Sequence, residues 1–276
     1  MDPRLQLRVQ RYGWDRASDV YDRAWSRQLA PAQDLLMEMA DLSKGEDALE
    51  LACGSGLVTL RIADAVGPTG KVMATDLSEG MLEQARKRSQ ATGAGNITFQ
   101  RAGAERVDVP EATFDVSLCA LGLMYAPDPN AALQEMGRAL KPGGRAVAAV
   151  WGERRRCGWA EIFSIVDRRV ETEVCPLFFQ LGTGDTLRRQ MEDVGFQRVT
   201  SERISTTLHY SSPDVAVEAA FAGGPVAMAY SRFDEGTRSE VHQEYLESIA
   251  SYGTNGGYRI PGEFVVARGE WPPRGG

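Results

Sequence analysis

Histidine and cysteine are scarce in this chain, which has two histidines and four cysteines among 276 residues. The cysteines, Cys53, Cys119, Cys157 and Cys175, form no C-x-x-C pair, and too few histidines accompany them to build a zinc site. No metal and no disulfide are expected. Long apolar runs are missing as well: no stretch approaches the roughly 18 to 20 residues that span a bilayer. The start, Met1-Asp2-Pro3-Arg4-Leu5-Gln6, lacks a charged-then-apolar leader pattern. A cytoplasmic protein without a membrane span is predicted. Positive charge is in deficit, and a net charge of -7 would repel a phosphate backbone, so no nucleic-acid partner is expected. Arg154-Arg155-Arg156 is the local exception, and reads as a solvated turn rather than a phosphate clamp.

What is present is ordinary globular usage, with 43% hydrophobic and 25% charged residues. The length favours one core carrying insertions. Residues 14–43 show helical periodicity through Leu35, Leu36, Met39 and Leu42, and residues 1–44 are read as an N-terminal helical arm or lid. From 46 onward, strand-like runs (Ala48–Leu51, Lys71–Thr75, Ile97–Arg101, Val116–Cys119, Arg145–Trp151) alternate with helical segments at 57–66, 78–92 and 129–140. That alternation predicts an α/β fold, a mostly parallel sheet with helices on both faces. Gly67-Pro68-Thr69-Gly70, Pro127-Asp128-Pro129 and Lys141-Pro142-Gly143-Gly144 punctuate it.

Residues 45–152 form the expected ligand-binding core, and 153–212 its remainder, with helices at 158–172 and 184–194 and a strand at Arg198–His209. Residues 213–251 read as an inserted helical cap, and 252–276 as a last strand, Glu263–Arg268, and a frayed tail, Pro272-Pro273-Arg274-Gly275-Gly276.

The segment Glu50-Leu51-Ala52-Cys53-Gly54-Ser55-Gly56 closes one strand and opens a helix, and its glycines let backbone approach a ligand without interference from Cβ. About 20 residues later Asp76 ends the next strand, where a carboxylate can accept two ribose hydroxyls. These features imply a nucleotide-like ligand. A phosphate-binding dinucleotide fingerprint wants a small residue three positions past Gly56, and Thr59 stands there. An NAD(P)-dependent reductase and a non-catalytic cofactor-binding protein remain the rival readings.

Further blocks follow in order: Asp76-Leu77-Ser78-Glu79-Gly80-Met81-Leu82, Ala104-Glu105, Phe114-Asp115-Val116, Gly122-Leu123…Pro127-Asp128 and Leu140-Lys141-Pro142-Gly143-Gly144. With the glycine loop they resemble class I S-adenosylmethionine-dependent methyltransferases over about residues 45–152. The likeness is to the small-molecule branch that includes ubiquinone- and menaquinone-biosynthesis methyltransferases. The resemblance implies a Rossmann-like seven-stranded sheet, S-adenosyl-L-methionine as cofactor and S-adenosyl-L-homocysteine as product. It implies that Ala52, Cys53, Gly54, Ser55 and Gly56 lie along the methionine part, that Asp76 holds the ribose, and that Leu77 and Met81 flank the adenine. Ala104 would offer its N–H to the adenine edge, and backbone around Ala120 would face the ammonium. Glu50 suits that polar surrounding, or braces the loop as a structural carboxylate. Where the family usually carries an acid before this alanine, the chain has Gly103, which leaves Glu105, backbone or water to meet the adenine amine.

The region after the fourth strand reads Cys119-Ala120-Leu121-Gly122-Leu123-Met124-Tyr125, without the Asn/Asp-Pro-Pro-Tyr/Phe segment of enzymes that methylate nucleic-acid bases. A small, flat or apolar organic acceptor is therefore expected, methylated on O, N or C by direct displacement. Trp14, Tyr21, Trp25, Met124, Tyr125 and Trp151 are the candidate acceptor residues, with Tyr21 and Trp25 four apart on one helix face as a lid pair. Trp159, Phe178-Phe179 and Ala219–Pro225 are further apolar segments that serve the wall or the core. If the acceptor must lose a proton, Tyr125 and His209 are the candidate bases.

Overall fold

The computed structural model describes residues 3–170, 175 and 177–273. Residues 171 and 172 of the expected helix at 158–172, and 274–276 of the expected tail, lie outside the described residues. Seven strands form one sheet: β1 (Ala48–Leu51), β2 (Val72–Asp76), β3 (Ile97–Arg101), β4 (Phe114–Ala120), β5 (Leu140–Trp151), β6 (Gln197–Tyr210) and β7 (Tyr258–Glu270). Their order is β3-β2-β1-β4-β5-β7-β6. The first five run parallel, and β7 lies antiparallel to both β5 and β6. All of β1 is buried, as expected of a central parallel strand covered on both faces, where an apolar run replaces alternation.

Helix starts follow the sequence chemistry. α2 (Leu57–Val66) begins after Gly56, whose φ of 83° only glycine adopts readily. At the start of α3 (Glu79–Thr92), the Ser78 hydroxyl accepts from the Met81 N–H at 3.1 Å. At α4 (Pro129–Ala139), Asp128 accepts from the Ala131 N–H at 3.0 Å, with Pro129 in the first turn where its missing N–H costs nothing. α5 (Glu161–Asp167) and α6 (Thr186–Asp193) follow β5, and α5 is shorter than the expected 158–172. Lys141-Pro142-Gly143-Gly144 falls inside β5 rather than before it. Leu140 pairs with Phe114 ahead of a register shift, and Lys141 Nζ donates to both Asp115 carboxylate oxygens at 2.8 Å.

The N-terminal arm is one helix, α1 (Pro3–Ala40), and starts well before the periodicity becomes visible at 14–43. Its buried face carries Gln6, Gln10, Ala17, Ala24, Gln28, Ala32 and Leu36, and glutamine and alanine at buried positions weaken any apolar pattern. Two polar anchors tie it to the core: the Gln28 side chain accepts from the His209 N–H at 2.9 Å and donates to the His209 carbonyl at 2.6 Å. Between β6 and β7 the chain makes α7 (Pro213–Phe221), α8 (Ala227–Tyr230) and α9 (Glu235–Ser248), and α1 packs against both α7 and α8.

Candidate active site

The loop after β1 turns in three left-handed steps, with φ of 53° at Ala52, 55° at Gly54 and 83° at Gly56. Ala52 holds its strained conformation beside a second one, since Leu121, after β4, has φ of 62°. Gly122 lets these two turns meet: a Cβ there would stand 2.4 Å from Ala52 Cβ and 2.9 Å from Cys119 Sγ. At Gly54 the opposite holds, since a Cβ would meet no atom within 4 Å. The residue faces open space.

Asp76, at the end of β2, fastens this loop to the next. Its Oδ2 accepts from the Gly54 N–H and its Oδ1 from the Ser78 N–H, each at 2.8 Å. Burial pushes its pKa up to about 6, the two N–H donors oppose the rise, and neighbouring Asp15 adds to it.

Ala52, Gly54, Asp76, Leu77, Met81, Gly103, Ala104, Glu105 and Ala120 all line one cavity of about 1140 Å³ counted to its open mouth. Of the other residues predicted from the loop, none lines it. Glu50 lies behind the turn, 1% exposed, and accepts from the Thr59 hydroxyl at 2.5 Å. Burial raises its pKa to about 8 even against the Thr59 bond. Cys53 is buried, Gly56 packs on Ala85, and Ser55 donates to Asp22 of α1. These four shape the loop from its protein side. Gly103 is a departure with a visible counterpart, because a Cβ there would stand 3.3 Å from Glu105 Oε2. The Glu105 carboxylate thus occupies the neighbourhood that an acid at 103 would fill.

The same cavity continues into an aromatic half. All six predicted acceptor residues line it: Trp14, Tyr21, Trp25, Met124, Tyr125 and Trp151. Trp14 meets Tyr21 at 5.8 Å and Tyr125 at 5.0 Å between ring centroids, both edge to face. Leu7 and Gln10 from the first turns of α1, which were not among the predicted site residues, Val226 and Tyr245 from the segment between β6 and β7, and Trp159 also line it. The signal that could have found Leu7 and Gln10 was the heptad-like continuation of the arm upstream, which their polar neighbours obscured.

The two candidate bases fare differently. Tyr125 lines the cavity, but burial holds its phenol well above the ordinary value of 10, with Cys175 and Tyr21 adding to the rise. A phenol so placed holds its proton near neutral pH, which favours a donor over a base at this position. His209 is corrected outright. It is exposed on the outer strand β6, held through its backbone by Gln28, and absent from the cavity wall.

Arg154, Arg155 and Arg156 are exposed and each faces a carboxylate, Glu161, Glu153 and Glu263 in turn, so their charges are matched within the fold. Among the described residues the cavity wall contains no lysine or arginine, and its carboxylic acids are Asp76 and Glu105. Such a wall suits a cationic ligand, whose sulfonium and ammonium favour acids over basic side chains. The donor set fits S-adenosylmethionine, which carries a sulfonium and an ammonium.

A methyltransferase domain family model matches residues 48–144. The demethylmenaquinone methyltransferase of Geobacillus kaustophilus (strain HTA426) is 31% identical over 173 residues, covering 61% of this chain and 72% of that protein. The ubiquinone/menaquinone biosynthesis C-methyltransferase UbiE of Ectopseudomonas mendocina (strain ymp) is 32% identical over 197 residues, 64% of this chain and 73% of that one. Among solved structures, the YcgJ protein of Bacillus subtilis shares the fold at a TM-score of 0.61 and 15% identity, covering 89% of this chain and 100% of that one. The chain belongs to the class I S-adenosylmethionine-dependent methyltransferases. It uses S-adenosyl-L-methionine, releases S-adenosyl-L-homocysteine and methylates a small molecule. Among the described residues no helix is long and apolar enough to cross a membrane.

Proposed function

We propose that the cavity holds the methyl donor in its glycine-loop half and a flat, apolar ring in its aromatic half, in the manner of the quinone-pathway substrates named for the relatives. The observation that carries this reading is the continuity of the wall, in which Gly54, Asp76 and Glu105 share one cavity with Trp25, Trp151 and Tyr125. When bound, S-adenosylmethionine supplies a methyl group already activated on sulfur. The protein's task is then alignment and exclusion of water, which effective molarities show to be worth several kcal/mol, about 7–11 at best.

In this reading Asp76 accepts the ribose hydroxyls, its orientation set by the Gly54 and Ser78 N–H groups. Leu77 and Met81 flank the adenine, the Ala104 N–H reads its edge, and Glu105 takes the amine in place of an acid at 103. The backbone from Ala52 to Gly54, with Ala120, lies along the methionine. Glu50, Cys53, Ser55 and Gly56 act through the loop as positioning residues. Trp14, Tyr21 and Trp25 of α1 close over the acceptor opposite Met124, Tyr125 and Trp151, and Tyr125 donates a hydrogen bond rather than taking a proton. The arm, the cap and the core at 45–152 are the units this reading assigns to covering, shaping and donor binding. All four cysteines are buried and unpaired, which supports a reducing, cytoplasmic setting. The absence of lysine and arginine from the cavity wall among the described residues supports a free small molecule over a nucleic acid.

The test is mass spectrometry of a cell extract incubated with purified protein and isotope-labelled S-adenosylmethionine. The expected result is one labelled methyl on a ring compound extractable into organic solvent. Label appearing on nucleic acid, or on a water-soluble amine, would overturn the acceptor assignment.

A further inference from the structure

Charge on the first half of α1 is sorted by side. Its acids turn to α3 and the glycine loop: Asp15 accepts from the Ser78 hydroxyl at 2.6 Å and the Gly80 N–H at 3.0 Å, Asp19 from the Gln84 side chain at 3.0 Å, and Asp22 from Ser55 and Arg88. The arginines turn outward. Arg4, Arg8, Tyr12 and Arg16 follow one another at steps of four, which places them along one side of the helix, and all four are exposed, Tyr12 to 45%. Arg8 and Arg16 have no carboxylate partner among the described residues, whereas Arg88, Arg138, Arg145 and Arg169 each sit against one.

Helix stability does not account for this row. Like charges four apart weaken a helix, and an acid at either position would have supplied a favourable pair. Apolar groups share the face: Leu5 and Val9 flank the row half-buried, and the Arg11 guanidinium lies over the Tyr12 ring, 5.4 Å from its centroid. Arginines interleaved with aliphatic and aromatic side chains suit a bilayer surface, where the guanidinium groups meet lipid phosphates and tyrosine settles at headgroup level. A nucleic acid would use the arginines but not Leu5 and Val9. The chain as a whole carries a net charge of -7, so a partner that meets this one face, as a planar surface does, avoids the acidic remainder.

We propose that the Arg4–Arg8–Tyr12–Arg16 face of α1 docks the protein reversibly on an anionic lipid surface. The contact is peripheral, held by charge and a shallow aromatic anchor. Leu7, Gln10 and Trp14, on the same turns of α1, line the cavity. A helix with its side chains is about 10–12 Å across, so docking sets the cavity wall one helix from the lipid. The assignment rests on the outer face of α1 alone and holds whatever the methyl acceptor is.

The test is co-sedimentation of the whole protein with phosphatidylcholine vesicles, made with and without phosphatidylglycerol as the anionic lipid. Wild type should pellet with the anionic vesicles only, and less as salt screens the contact. Arg8→Gln and Arg16→Gln should each weaken binding about fivefold, and together about twentyfold. Arg189→Gln removes an exposed charge from α6 and should leave vesicle binding unchanged. Tyr12→Ser keeps every charge and should weaken binding severalfold, most clearly at high salt. S-adenosylhomocysteine titration of each variant should match wild type, which separates loss of docking from loss of the fold or the donor site. Equal binding to both kinds of vesicle, no binding to either, or a loss in Arg189→Gln as large as in Arg8→Gln overturns the proposal. A DNA or RNA duplex bound more tightly than the anionic vesicles, and lost in the same variants, gives the face to a different partner and overturns it as well.

Discussion

Asp22 of α1 and Ser55 of the glycine loop are hydrogen-bonded to each other, and Arg88 of α3 closes the set by donating to the Asp22 carboxylate and, at 3.1 Å, to the Ser55 carbonyl. The helix that carries Trp14, Tyr21 and Trp25 is thereby latched to the loop proposed to meet the methyl donor. Asp22→Ala should loosen both together. Amide exchange along α1 should quicken, and S-adenosylhomocysteine affinity should fall by about 1 kcal/mol, the size expected for a half-exposed charge-assisted contact. Asp34→Ala, which breaks the exposed pair between Asp34 of the same helix and Arg61 of α2, is the control and should change neither.

Asp76→Ala should weaken S-adenosylhomocysteine binding by about 1–3 kcal/mol in calorimetry, through loss of hydrogen bonds to a charged acceptor. The wild-type affinity should also depend on pH. The acceptor form is the carboxylate, and a pKa near 6 means that this form is lost as pH falls through 6. Affinity should therefore drop between pH 7 and 5, and the drop should be absent in the variant. Identical pH profiles would remove Asp76 from the site.

Glu50 gives a prediction of opposite character, because its pKa of about 8 lies above the ordinary 4.5. The folded ligand-free protein holds the Glu50 proton more tightly than the unfolded chain. That contribution is full below about pH 4.5 and is lost as pH rises through 8. Glu50→Gln keeps an acceptor for the Thr59 hydroxyl and cannot ionise. Thermal melts should show the variant gaining on wild type steadily from pH 5 to 9. A constant difference across that range would contradict the assignment.

Gly122→Ala should destabilise the protein by about 1–3 kcal/mol, the usual cost of forcing a methyl into packed surroundings. The backbone there has φ of -106°, which alanine adopts freely, so the penalty is contact with Ala52 and Cys119 alone. Because Ala52 lines the cavity, the loss in melting temperature should come with weaker donor binding.

Tyr125→Phe and His209→Ala address proton transfer. Removing a working general base typically costs about 10²–10⁴-fold in rate. A neutral phenol and an exposed imidazole predict far smaller changes, with His209→Ala indistinguishable from wild type. A loss of that full size in Tyr125→Phe would restore it as the base.

Much of the fold was legible because its signals are local. The buried run Ala48–Leu51, the cap residues Ser78 and Asp128, and Pro129 each act within a few residues of the element they start. The arm at 1–44 was read as helical from its later periodicity, but which face of its first turns is buried was not legible, since that face is built from Gln6, Gln10 and alanines that acquire meaning only against a partner. At the site, the strand end at Asp76 was readable from spacing. Which loop residues face the ligand was not, because Gly54 points outward and Gly56 inward through left-handed turns that the sequence does not distinguish. His209 misled for a related reason: a strand position does not reveal which edge of the sheet it will occupy until the antiparallel insertion of β7 is known.

Tyr210 and Tyr258, where β6 ends and β7 begins, are register partners across the hairpin, and the whole cap from 211 to 257 leaves and returns between them. The excursion is thus a graft on a closed stem. Its two ends are held by that pairing, and the Gly54–Asp76 hydrogen bond lies outside it. A change confined to this excursion is expected to alter the Val226 and Tyr245 side of the cavity and to leave the Gly54–Asp76 hydrogen bond in place.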